Sequence, residues 1–87
     1  MKLKGEFMMR ELLGDTILIP IGETALTYNG IIWLDPVGAE IWRWILQGAS
    51  KEQLLENMIQ NFEVEEETAK QDLENFLEDL RRNGFVD

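Results

Sequence analysis

Eighty-seven residues of which 45% are apolar, including three Trp, four Phe and four Met, are enough for one hydrophobic core and leave no room for a second domain. The chain has neither cysteine nor histidine, which excludes thiolate chemistry, zinc–thiolate sites and the commonest general base. Its net charge of −9 argues against a surface made for phosphate backbones or anionic lipid.

The charge is uneven along the chain. Residues 1–49 carry six acids and four bases (−2), and residues 50–87 carry eleven acids and four bases (−7). Such a surface attracts basic peptides or basic protein faces, and its plainer use is solubility. With no cysteine, no signal peptide and no long apolar run, the expected location is cytoplasmic, away from membranes.

In chain order, Met1 to Gly5 reads as a frayed terminus. Glu6 to Leu13 has strand character, Gly14-Asp15 stands where a tight hairpin turn belongs, and Thr16 to Ile21 reads as a second strand. Pro20 has no N–H to donate, so it marks an edge or the place where pairing stops. Gly22 to Tyr28 reads as a loop, its Ala25–Tyr28 portion extended or irregular. The turn dipeptide Asn29-Gly30 opens a third strand, Ile31-Ile32-Trp33-Leu34, and Asp35-Pro36 closes it by starting a helix, Asp35 as cap and Pro36 at the first helical position.

The first helix runs to Leu46 or Gln47 with Val37, Ile41 and Ile45 on one face, and Gly48 ends it. Ser50-Lys51-Glu52-Gln53 is a capping box flanked by Ala49 and Leu54 as a hydrophobic staple, so a second helix starts at Lys51. Its expected buried stripe is Leu54, Leu55, Met58, Ile59 and Phe62. Glu63 to Glu67 leads into a third helix, where carboxylates suit the positive end of the dipole. Ala69, Leu73, Phe76, Leu77 and Leu80 form its apolar face, bordered by Lys70, Glu74 and Arg81 on one side and Asp72, Asp79 and Asn83 on the other. Asn83-Gly84 stops it, and Phe85-Val86 folds back. The expectation is a single α+β domain over 1–87, a three-stranded antiparallel sheet followed by three helices in a winged helix-turn-helix-like arrangement.

Little in this inventory suggests catalysis. Ser50, the sole serine, is occupied as a cap, and Thr16, Thr24, Thr27 and Thr68 lack a nearby base of the usual type. Glu52 with Glu56 and Glu74 with Glu78 share helix faces, where solvated charge is the ordinary role. The Glu63, Glu65, Glu66 and Glu67 cluster lacks the alternating ligands and turn glycine of a calcium loop, so no metal is expected. Residues 50–83, which hold the helix-turn-helix outline, contain ten acids against four bases, and no nucleic-acid partner is expected.

Binding remains. The third strand is greasy on both faces, with Ile32 and Leu34 on one side and Ile31 and Trp33 on the other. As a sheet edge it offers its backbone to an extended peptide, and Trp33 with Ile31 is expected on the peptide side. Leu73, Phe76, Leu77 and Leu80 of the third helix supply an apolar wall, with Lys70 and Arg81 placed to meet acidic peptide residues. Two other readings compete: a winged-helix DNA regulator, and a dimerisation module that uses the same open edge. A monomer or weak homodimer is expected.

The order Arg10-Glu11-Leu12-Leu13-Gly14, Ile17-Leu18-Ile19-Pro20, a glycine-led strand into Leu34-Asp35-Pro36-Val37-Gly38-Ala39 with Ile41-Trp42, then Gly48, a capped helix, Asp72-Leu73, Phe76-Leu77, Leu80 and Gly84-Phe85, resembles the PqqD family. These are recognition proteins for ribosomally made, post-translationally modified peptides, also called RiPP recognition elements. The resemblance runs from about Phe7 to Val86, with Asp35 where the family often has Asn. It implies that a precursor's leader segment adds as a strand to Ile31–Leu34 and lies against the third helix around Lys70 to Arg81. It also implies delivery to a separate modifying enzyme, frequently a radical S-adenosylmethionine enzyme, by an adaptor that is not itself an enzyme and carries no cofactor.

Overall fold

A computed structural model of the chain describes residues 2–28 and 30–86. The order is β1 (Phe7–Leu12), β2 (Asp15–Pro20), α1 (Thr24–Thr27), β3 (Ile32–Leu34), α2 (Pro36–Leu46), α3 (Lys51–Asn61) and α4 (Glu66–Arg82). This is an α+β chain in which an antiparallel three-stranded sheet, ordered β1-β2-β3, precedes the long helices. Two compact units are present: Gly5–Glu40, and the residues up to Lys4 together with those from Ile41 onward.

In the first unit β2 is the central strand. Its register sets Met9 against Leu18 and Arg10 against Ile17 on one side, and Ile17 against Trp33 and Leu18 against Ile32 on the other. Pairing alternates faces, so Leu18 and Leu34 share the buried face while Trp33 stands on the opposite one. The hairpin turn lies one residue earlier than the sequence suggests. Leu12 pairs with Asp15, and the two turn residues are Leu13 at φ +54° and Gly14 at φ +87°. Positive φ at both central positions is what a twisted two-residue hairpin demands; Gly14 meets it freely and Leu13 does not.

The segment read as a loop contains the single helical turn α1, in which the Tyr28 N–H donates to the Thr24 carbonyl at 3.0 Å. The Thr24 hydroxyl also accepts a bond from the Glu6 N–H at 2.8 Å, which ties the turn to the start of β1. Asn29, part of the expected Asn29-Gly30 turn, lies outside the described residues. Asp35 caps α2 as expected, its side chain accepting from the Gly38 N–H at 2.6 Å.

In the second unit Gly48, at φ +88°, ends the chain's turn out of α2. The Ser50–Gln53 capping box is complete: Gln53 N–H donates to the Ser50 hydroxyl at 3.2 Å, and Ser50 N–H to the Gln53 side chain at 2.8 Å. Leu54 and Met58 of α3 and Ala69, Leu73, Leu77 and Leu80 of α4 are buried. Ile59, expected in the α3 stripe, is 39% exposed, because Leu54 and Met58 define a narrower buried face. Met1 lies outside the described residues, but the N-terminal segment is tied down where fraying is expected: Leu3 bridges to Val86, and Lys4 N–H donates to the Phe85 carbonyl at 2.8 Å.

The left-handed conformation at Leu13 generates a stability prediction. Leu13→Asn, which creates an Asn-Gly turn, is expected to raise unfolding stability by roughly 0.5–1 kcal/mol. Urea unfolding measures this, and an unchanged or lower midpoint would show that Leu13 is not strained there.

Candidate functional site

A sheet of three strands has two edges, and their chemistry differs. β1 carries Arg10 and Glu11, and charged side chains discourage a further strand from pairing. β3 is Ile-Trp-Leu, without a charge. It pairs with β2 on one side, and among the described residues the main-chain bonds outside the regular elements include none to Ile32, Trp33 or Leu34. Its free side therefore presents donors and acceptors that need partners.

The residues proposed from sequence on this strand divide by face. Leu34 is buried at 7% and Ile32 is half-buried, while Trp33 is 56% exposed. Ile31, expected within the strand, precedes it and is 42% exposed.

On α4 the apolar residues divide similarly. Leu73 and Leu77 are buried within their unit, so ordinary helix packing accounts for them; Phe76 is half-buried. Lys70 and Leu73 come together with Lys51, Glu52, Leu55 and Glu74 around a cleft of about 360 Å³ between α3 and α4. The Lys70–Glu74 border of α4 is thus the border that faces α3. Lys51 reaches across from α3 to an ion pair with Glu74, and Arg81 pairs with Glu78 at 3.6 Å on α4 itself. Lys70 has no carboxylate partner among the described residues. Helical spacing sets Phe76 toward the other border with Asp72 and Asp79; which of the two borders faces α3 is what spacing alone left open.

The Lys51 hydrogen bond, with the positive charges of Lys51 and Arg81, holds the Glu74 carboxyl below the usual carboxylate range. No group of three potential metal ligands gathers among the described residues. No helix among them is long and apolar enough to cross a membrane.

An uncharged, one-sided sheet edge is the kind of main-chain surface that strand addition uses. Residues 16–86 match the family described as coenzyme PQQ synthesis protein D (PqqD), and the chain belongs to the PqqD family. The match starts at Thr16, so β1 lies outside it, whereas the resemblance in the sequence begins at Phe7. No curated protein matches the sequence. Among solved structures, TbiB1 in complex with the TbiA(beta) leader peptide is similar with a TM-score of 0.79 and 21% identity, over 100% of this chain and 95% of that one. At that identity the likeness is one of fold.

The Glu74 ionisation has a testable consequence. Since its carboxyl ionises at lower pH when folded, the Lys51 interaction contributes fully above the ordinary carboxylate range and is lost as pH falls through the lowered folded value. In Lys51→Met the Glu74 carboxyl is expected to titrate back toward the ordinary range by NMR. The stability gap between wild type and variant should shrink on acidification.

Proposed function

We propose that this protein is a non-catalytic adaptor that binds the leader segment of a ribosomally made precursor peptide and presents it to a modifying enzyme, such as a radical S-adenosylmethionine enzyme. The leader adds as a strand to β3, with Ile31, Ile32, Trp33 and Leu34 as its contacts; the family resemblance adds α4 from Lys70 to Arg81, where Phe76 is the half-buried apolar contact and Leu73 and Leu77, buried in their own unit, back it. The observation that carries this reading is the uncharged β3, bonded along one side only among the described residues. Membership of the PqqD family supports it. So does the leader peptide bound to TbiB1, a protein of similar fold. The adaptor needs no cofactor and works in the cytoplasm.

Magnitudes identify what decides affinity. About four net hydrogen bonds at roughly 0.5–1.5 kcal/mol each are comparable to two or three apolar anchors at roughly 1.5–3 kcal/mol each. Association and ordering cost about 4–15 kcal/mol. The ladder's roughly 2–6 kcal/mol reaches only the low end of that range, and the anchors' roughly 3–9 kcal/mol are the larger addition to it, so the apolar contacts weigh most in the affinity. Lys70 and Arg81 add selectivity for acidic leader residues, with a small energetic share because exposed ion pairs are weak.

Short peptides encoded near the gene, fluorescently labelled and titrated against the chain at physiological salt, test the reading alongside a labelled DNA duplex. Binding of such a peptide without binding of duplex is expected; tight duplex binding with no peptide binding would reverse the assignment. A second test addresses the ladder. Outward N–H groups alternate along an edge strand, so of Ile32→Pro and Trp33→Pro one removes an outward donor. That variant is expected to stay folded by circular dichroism and to lose at least about tenfold in peptide affinity, about 1.4 kcal/mol. Retained affinity in the folded variant would sink strand addition.

A further inference from the structure

The face of the sheet opposite Leu18 and Leu34 carries its own ordered row. Register sets Arg10 beside Ile17 and Ile17 beside Trp33, one residue from each strand. Ile17 is only 6% exposed although it stands on the same face as Trp33, since it has a neighbour on either side. Trp33 has one. The row ends there, at the uncharged edge, with more than half of the side chain in solvent. Next along β1 and β2 on this face is the Met8–Ile19 pair, and Ile31, two residues before Trp33, is also exposed.

A strand added to β3 would continue this row. Directly opposed residues on one face have Cβ atoms about 4.5–5.5 Å apart, and aromatic–aromatic and aromatic–β-branched pairs are the favourable ones. We propose that Trp33 is a specificity residue that reads the outward-facing side of the bound leader, selecting a large apolar or aromatic side chain at the leader position beside it. The inference rests on the strand-addition reading and adds to it a second reading face, because a strand's period of two sends alternate leader residues to opposite sides of the sheet. Ile31 lies next along the same edge, so the preferred leader pattern is apolar at the position beside Trp33 and again two residues away.

The test uses random displayed peptides about 16 residues long, enough for a strand of five or six with flanks. They are selected against the full chain and against Trp33→Thr, which puts a β-branched, strand-favouring residue in its place. Wild type is expected to enrich peptides with apolar residues spaced by two. Trp33→Thr should bind those peptides roughly tenfold more weakly and lose the preference at one position, and Trp33→Tyr should restore it. A blue shift in tryptophan emission on binding is expected in wild type and not in Trp33→Thr. Amide exchange of Ile32–Leu34 separates side-chain reading from strand addition. Peptides that protect those amides yet show the same preference and affinity in Trp33→Thr overturn this inference alone, whereas selected peptides that leave the amides unprotected overturn strand addition itself.

Discussion

Backbone N–H and C=O groups on a strand need partners on both sides, and among the described residues β3 has β2 on one side only. Its three residues, Ile32 to Leu34, are too few to hold themselves in place. Their geometry comes from pairing with Thr16, Ile17 and Leu18. The central strand β2 thus fixes at once which β3 side chains are buried, which stand in solvent and that the free backbone groups run along one uncharged edge. Moving the register by a single residue would exchange Leu34 for Trp33 on the buried face. That one constraint converts an apolar tetrapeptide into an edge with two distinct sides.

The helical unit is organised by different forces. Burial of Leu54, Met58, Ala69, Leu73, Leu77 and Leu80 packs α3 and α4, while the Ser50–Gln53 box sets where α3 begins. Carboxylates in the first turn of α4 and Arg81 with Arg82 in the last complement its dipole. The Lys51–Glu74 pair bridges the two helices across the cleft that also holds Lys70 and Leu73. Acidity therefore has local structural uses, and the surplus of seven negative charges in residues 50–87 is a property of the helical unit's surface, not of the sheet. A strand that paired with β3 would meet an edge without charged side chains.

Much of this was legible in advance because the signals are local. Asp35 capping α2, Gly48 after it, the Ser50 box and the stop at Asn83-Gly84 each involve residues a few positions apart, and their geometry is set by short-range backbone chemistry. The misplaced hairpin turn has an identifiable source. Sequence rules favour Gly, Asn or Asp at positive φ, and here the hairpin register places Leu13 there instead. The one-turn helix α1 is too short to show a period, and it is anchored by a bond between Glu6 and Thr24, eighteen positions apart. The same long range hid the pairing of Leu3 and Lys4 with Val86 and Phe85.

The sequence by itself determined the three strands, the three long helices with their caps, the poverty in catalytic groups and the family resemblance, because those follow from composition and from spacings of two to four residues. Tertiary structure decided which edge is uncharged and free among the described residues, which side of Trp33's strand faces solvent and which border of α4 faces α3. Those depend on partners brought from elsewhere in the chain, and a periodic pattern carries phase but not the identity of what packs against it.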